Sequence, residues 1–466
     1  MKQRLVLLLS LLFATVLAVR VQSKDISESQ DYTGTRDGLF RLTLGDKRGT
    51  ACSPEHPQKF LSRKAIERRE RQGLRIDSTD LPVSGRYLDA IRKAGAHVVG
   101  TSKWLNSVLV SCPGSGVERD LQSLPFVTGF EQVWHAPDTV PRPLRHRRVQ
   151  EAFNPWDSIP ASHYAAAASQ TEQLGGHKLH AKGFTGRGMT IAVLDGGFEN
   201  VDRIRAFRKT KILGTHDFVY PLSPDIYRET DHGTKVLSLM GAWAPHVFVG
   251  TAPGAGYWLL RCEDQQTEQP VEEDYWVMAA EFADSVGADI INSSLGYTEF
   301  DHHVGDHRYE EMDGHTAFIS RAASMLASKG IVLVNSAGNN GMGPWKKVSF
   351  PADADNIITV GAVTPTLSNA PFCSVGPTQD GRIKPDVMAV GSPAWLISGR
   401  GSLTQDMGTS FAAPIVCGLV ACLWQAFPNK TALEIIDMVR HCGSNHKNPN
   451  TIFGYGIPDF SSFVTP

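Results

Sequence analysis

The sequence predicts an α/β protein: a doubly wound, mostly parallel sheet with helices on both faces, preceded by a small α+β unit. Three observations predict it. Beyond about residue 185, apolar runs without polar alternation are interleaved with helical patterns, as expected for strands buried on both faces of a parallel sheet. Upstream, residues from about 38 to 134 carry a shorter helix and strand pattern of their own. Between the two, residues 135–165 are rich in proline and arginine, lack periodicity and read as an exposed linker. A length of 466 residues accommodates two or three such units.

Taken in order, the chain opens with MKQRLVLLLSLLFATVLAVRVQS. Lys2 and Arg4 precede an apolar stretch from Leu5 to Val19, and Val21 and Ser23 are spaced like a cleavage site, so residues 1–23 read as a removable secretory signal. The stretch is short of the roughly 20 residues of a bilayer span, and a retained anchor is the weaker reading. No later segment is expected to cross a membrane.

In the small unit, SGRYLDAIRKAG (84–95) predicts a helix with Ser84 at its N-cap and Gly95 as its stop. AHVVG and NSVLVSC follow as strands, then a short helix around GVERDLQSL and a strand at PFVTGFEQV. This is most of a split β-α-β sandwich. The charge run LSRKAIERRERQG reads as a solvated helix face. In the linker, Arg142, Arg145, Arg147 and Arg148 form either a cleavage region or a basic solvated stretch.

In the large unit MTIAVLDGG, GYWLLRCED, ADIINSSLG and IVLVNSAGNNG are strands. HGTKVLSLMGAW is a helix, as are VEEDYWVMAAEFADSVG, stopped by Gly287, and HTAFISRAASMLASKG, stopped by Gly330. Ser410 opens a further helix whose inner face is Phe411, Ile415, Leu419 and Cys422. Ligand chemistry in such a fold belongs at the carboxyl ends of the strands.

A net charge of −2 gives no reason to expect nucleic acid or an anionic surface as partner. Seven cysteines, at 52, 112, 262, 373, 417, 422 and 442, are an odd count with no zinc spacing, so at least one thiol is free or buried.

Serine is a poor nucleophile unless a base takes its proton, and the base needs a third group to fix its tautomer. Asp195 ends the strand IAVL, with Gly196 and Gly197 turning the chain away. His232 stands at a helix start beside Gly233, and Ser410 sits in GTSFAAP (408–414) at another. Singly each reads as a turn, structural or capping residue. Their joint order, acid then histidine then serine on one parallel α/β unit, is far more specific.

With IAVLDGG, HGTKV and GTSFAAP, the chain resembles the subtilisin-like serine peptidases, or subtilases, of the secreted bacterial type with an amino-terminal propeptide. SAGNNG (336–341) resembles the segment that supplies their oxyanion amide, here Asn339. INSSLG (291–296) resembles the strand that pairs with extended substrate, so Ser294, Leu295 and Gly296 are substrate-contact candidates by strand addition.

The resemblance covers about residues 175–460. It implies a secreted endopeptidase acting through an acyl-enzyme, with a propeptide over 24–150, a peptidase domain over 166–466, peptide or protein substrates, and self-cleavage in the linker. It implies export to the periplasm or beyond. It requires no cofactor for the chemistry; structural calcium is frequent in the family, with no ligand set assignable here. Activity should fall as His232 is protonated in mild acid.

The chain departs from the family pattern at Gly196, where Ser or Thr is frequent, and in the KVLSLMGA stretch. Glu272 and Glu273 either line the cleft or pair with their own helix N-terminus. DHHVGDHRYEEMDGH (301–315) reads as a solvated loop, with Asp313 capping the next helix, rather than a metal site. The rivals are an α/β-hydrolase esterase, which needs a G-x-S-x-G elbow and the order serine, acid, histidine, and a catalytically silent peptide-binding protein of this fold.

Overall fold

A computed structural model describes residues 38–135, 163–222 and 225–464. The leader over 1–23 and the arginines of the linker lie outside the described residues.

The amino-terminal layer is an antiparallel sheet of β1 (Gly38–Leu44), β2 (His97–Ser102), β3 (Ser107–Cys112) and β4 (Val127–Trp134), in the order β2-β3-β1-β4. With it go α1 (Arg63–Arg71), α2 (Gly85–Lys93) and α3 (Ser115–Gln122). The sequence reading lacked β1, which pairs with both β3 and β4. Side chains alternate along β1. Phe40, Leu42 and Leu44 pack with Ile91 and Leu121 of the layer's own helices, while Leu39 faces the large unit. Ser84 precedes α2 but makes no cap bond; its hydroxyl donates to the carbonyl of Arg48. Gly95, at φ 97°, stops that helix as expected.

The large unit begins with two short helices, α4 (Ala168–Gln173) and α5 (Gly176–Ala181), and then β5 (Thr190–Asp195), β6 (Lys211–Asp217) and α6 (His232–Gly241). A small hairpin of β7 (Trp243–Ala244) and β8 (Phe248–Val249) leads to β9 (Gly256–Arg261), α7 (Val271–Val286) and β10 (Ile290–Ser293). Next come α8 (Phe318–Met325), β11 (Val332–Ser336), β12 (Ile358–Val363) and β13 (Val387–Val390). The hairpin β14 (Ala394–Ile397) and β15 (Leu403–Asp406) precedes α9 (Thr409–Ala426) and α10 (Ala432–His441).

The seven strands of the main sheet run in the order β13-β12-β11-β10-β5-β9-β6, every pairing parallel. The first strand, β5, lies inside the sheet, so the chain winds away from it in both directions. The crevice between β5 and β10 is a topological switch point, where ligands bind in such folds.

Helix α9 is buried all round rather than along one inner face. Contrary to the expectation that no segment after the leader would be long and apolar enough to cross a membrane, its 18 residues are. They lie instead in the core that the sheet shares with α6.

The charge run in α1 is solvated on one side only, at Arg63, Glu67, Glu70 and Arg71. Arg68 and Arg69 are each 1% exposed. Both pair with Asp284 of α7, which also takes Lys103 at 3.1 Å. Arg69 bonds Asp80 as well, at 2.8 Å. Farther along α7, Glu281 accepts from Ser102 Oγ and from the backbone N–H of Lys103 and Trp104. Arg41 meets Asp274 at 2.6 Å and lies over the Phe318 ring. The amino-terminal layer is thus fixed to α7 by buried charge and by an apolar seam in which Leu39, Trp104 and Trp134 join the cluster of Tyr275 and Trp276, and the described residues belong to one compact unit.

Candidate active site

Asp195 ends β5, fully buried, and its Oδ1 accepts from the Gly196 N–H at 2.8 Å. The same Oδ1 lies 2.8 Å from Nδ1 of His232, the first residue of α6. Glycine is needed around this pair for space. A Cβ on Gly197 would lie 2.5 Å from Glu229 Cβ, and one on Gly233 would lie 2.3 Å from the Gly197 carbonyl oxygen. The acid loop and the histidine loop therefore close on one another. Two further bonds stitch them, from Phe198 N–H to Ile226 O and from Glu199 N–H to Thr230 O.

Ser410 is the second residue of α9 and 9% exposed. In an α-helix the carbonyl of Ser410 would accept from residue 414, but that residue is proline and has no N–H. The hydroxyl of Ser294, just past β10, donates to this carbonyl at 2.9 Å. The Ser410 hydroxyl donates back to the Ser294 carbonyl at 3.1 Å. Proline in GTSFAAP thereby couples the serine's backbone to the end of β10. No hydrogen bond joins Ser410 Oγ to His232.

Asn339 stands exposed after β11. Its Oδ1 accepts from both the N–H and the hydroxyl of Thr409, each at 3.0 Å. With the amide oxygen held, Nδ2 is the end left to donate. Gly338 before it has φ 103°, a conformation glycine adopts without strain.

One cleft is lined by His232, Ser410, Asn339, Ser294, Leu295 and Gly296 together, whereas Asp195 lies buried behind His232. Of the three strand-addition candidates, Ser294 is engaged with Ser410 and the Leu295 side chain is buried. The exposed residue of the three is Gly296.

Glu272 and Glu273 do not line this cleft; they are 0% and 4% exposed. Glu273 lies 2.9 Å from His307 and 3.8 Å from Arg41. The acids at the cleft are Glu263, Glu268 and Glu299. They were missed because they fall in loops with no motif around them. The available signal was the departure at Gly196, where a Cβ would lie 2.6 Å from Glu263 Oε2.

The segment 301–315 is only partly solvated: His307 is buried between Glu273 and Glu311 and stacks on Phe350. Asp313 accepts from His315 N–H and Thr316 N–H, closing a turn, and does not cap α8, which begins at Phe318 without a side-chain cap. Among the described residues no cluster of three or more His, Cys, Asp or Glu is placed to hold a metal ion. Among the described residues Cys52, Cys262, Cys373, Cys417, Cys422 and Cys442 form no disulfide, and four of these six are buried.

Electrostatically the cleft is acidic. Burial disfavours a charged His232, but Asp195 and then Glu263 overcome this and push its pKa up to about 9. Burial and the charge of Asp195 push Glu263 up to about 7. Burial, with Glu263 and Asp301 nearby, pushes Glu268 up to about 8. The window in which the imidazole loses its proton therefore lies on the alkaline side, above the mild acid expected from the sequence.

Comparison with known proteins agrees with this architecture. The Subtilase family model matches residues 186–456, and that for the peptidase S8 propeptide domain of Bacteroidota matches residues 40–149. Subtilisin NAT of Bacillus subtilis subsp. natto and subtilisin E of Bacillus subtilis strain 168 are each 29% identical over 358 residues, covering 76% of this chain and 80% of theirs. Among solved structures, MycP1 from the ESX-1 type VII secretion system has a similar fold, with a TM-score of 0.52 and 21% identity over 70% of this chain and 90% of that one.

Proposed function

The chain belongs to the Subtilase family and is a serine-type endopeptidase, and from that premise we propose that Ser410, His232, Asp195 and Asn339 perform the hydrolysis. His232 takes the proton of Ser410 Oγ as that oxygen attacks the substrate carbonyl. The Nδ1–H of His232, held by Asp195, fixes the tautomer that leaves Nε2 as base. The oxyanion forms opposite Asn339 Nδ2 and the Ser410 N–H at the α9 N-terminus. His232 then returns the proton to the leaving amine, and water, activated by the same imidazole, hydrolyses the acyl-enzyme. These steps use protein groups alone; structural calcium remains an expectation of the resemblance, with no ligands assigned.

The observation that carries this reading is the 2.8 Å contact of His232 Nδ1 with Asp195, beside a cleft that His232 shares with Ser410 and Asn339. The Ser410 hydroxyl must turn from the Ser294 carbonyl toward Nε2, a rotamer change that exchanges one hydrogen bond for another. Peptide or protein substrates lie along Gly296 by strand addition.

The layer matched by the propeptide model packs on α7, and cutting the linker makes it separable from the peptidase domain. We read the leader as directing export, to the periplasm or beyond. A fluorophosphonate should label Ser410 covalently, and Ser410→Ala should leave the precursor uncut. Absence of labelling, with normal processing of the Ser410→Ala chain, overturns this assignment.

A further inference from the structure

Resting on that reading of the active site, we propose that the cleft selects a lysine or arginine side chain of the substrate, held beside His232 by Glu263 and Glu268. Among the described residues, no lysine or arginine nitrogen lies within ion-pair distance of Glu263, Glu268 or Glu299. Arg261, at the end of β9 two residues before Glu263, is already engaged. It bonds the Gly196 carbonyl at 2.9 Å and Asp217 at 3.3 Å, and lies 3.7 Å from both Glu229 and Asp264. The cleft therefore gathers carboxylates that have no lysine or arginine partner among the described residues.

The backbone makes room for them. A Cβ at position 196 would lie 2.6 Å from Glu263 Oε2 and 3.3 Å from Gln265 Cγ. The glycine after Asp195 thus brings this carboxylate up beside the catalytic pair. Burial and the charge of Asp195 raise Glu263 to about 7, and burial with Glu263 and Asp301 nearby raises Glu268 to about 8; a cationic side chain entering beside them offsets that repulsion.

The chain's own backbone is held one residue beyond Glu268. Gln269, next to Glu268, accepts from the His135 N–H at 3.0 Å and donates to the His135 carbonyl at 3.1 Å. His135 leads into the segment whose sequence, PRPLRHRR, carries four arginines. The chain's own linker is thus of the chemical class that the glutamates would select.

The test uses the processed enzyme with fluorogenic peptides that differ only in carrying arginine or its uncharged isostere citrulline at each position before the scissile bond. At one position kcat/KM should favour arginine by at least about tenfold, the change one close charge pair produces. The ratio should shrink as salt is raised. Glu263→Gln and Glu268→Gln should each lower it several-fold, and the double variant should bring it near one. A ratio near one at every position in the unaltered enzyme overturns the proposal, as does a ratio that survives the double variant. If the variants do not fold, a salt-independent ratio in the unaltered enzyme also overturns it. Fluorophosphonate labelling runs alongside: labelling without a basic preference overturns this inference alone, whereas no labelling overturns the active-site reading and this inference with it.

Discussion

Ser294 and Ser410 hold each other by reciprocal hydrogen bonds, each hydroxyl donating to the other's carbonyl, at 2.9 and 3.1 Å. Pro414 makes this possible by withholding the N–H that would otherwise claim the Ser410 carbonyl. Ser294→Ala should leave that buried acceptor unsatisfied and cost about 1–3 kcal/mol, read as a lower midpoint in denaturant. In the Pro414→Ala background, where an N–H is restored, the same substitution should cost less. Equal losses in both backgrounds would show that the proline does not free the carbonyl.

The pH dependence follows from the acidic surroundings of His232. The base acts when neutral, so kcat/KM should rise with pH through the pKa of the free enzyme's imidazole. Negative neighbours stabilise the imidazolium and move that limb up from 6.5 toward about 9. Glu263→Gln removes one such charge and should shift the limb to lower pH. A limb at or below the ordinary histidine value would contradict the electrostatics of the cleft.

Asn339→Ala should lower kcat with little change in KM, by about 3 to 4 kcal/mol in the barrier, the magnitude measured for the oxyanion-hole amide of subtilisin itself and carried over to this relative. Thr409→Val, which keeps the N–H to Asn339 but removes the hydroxyl, should show a smaller loss. A KM effect dominating in Asn339→Ala would move the residue from oxyanion stabilisation to ground-state binding.

Asp284 should govern retention of the amino-terminal layer once the linker is cut. Burial alone would raise its pKa, but Lys103, Arg68 and Arg69 hold it well below the usual carboxylate range. Its pairing therefore contributes at every pH above the ordinary carboxylate value, and is lost only as pH falls below roughly 4. Gel filtration of the processed complex should find the layer retained from neutral pH to about 5 and released below 4. Glu281 and Asp274 are raised by burial and so shift in the opposite sense; they do not drive release in mild acid. Asp284→Ala leaves Arg68 and Lys103 without a carboxylate partner, while Arg69 keeps Asp80, and should weaken retention by about 3–5 kcal/mol, a hundredfold or more.

Much of this was legible in the sequence because the parallel sheet writes its strands as unbroken apolar runs, and because glycines 95, 287 and 330 stop their helices with positive φ. Asp195, His232, Ser410 and Asn339 were picked out by their motifs, and the structure puts Asp195 against His232 and the other three on one cleft. The partner of α1 was not. Its arginines lack an apolar face, and Asp284 lies 216 residues beyond Arg68, so a buried network read as a solvated one. Glu272 and Glu273 were left between the cleft and their own helix N-terminus because a first helical turn can face outward or inward; they lie in the first turn of α7 and face inward, with Glu273 near Arg41 and His307. Helix α9 was read with one apolar face because the sequence does not show that two layers enclose it.

The outer face of α7 has to live in two solvents in succession. In the precursor Glu281 and Asp284 are interior groups; once the layer departs, the same side chains meet water. An aliphatic surface would cement the precursor equally well, yet would leave the liberated enzyme sticky and prone to self-association. Carboxylates matched by arginine, lysine, hydroxyl and N–H donors ease that conflict, since each partner is comfortable either sealed against the other or hydrated alone. Reliance on ionic contacts thus lets the join be firm while it lasts and clean when it ends.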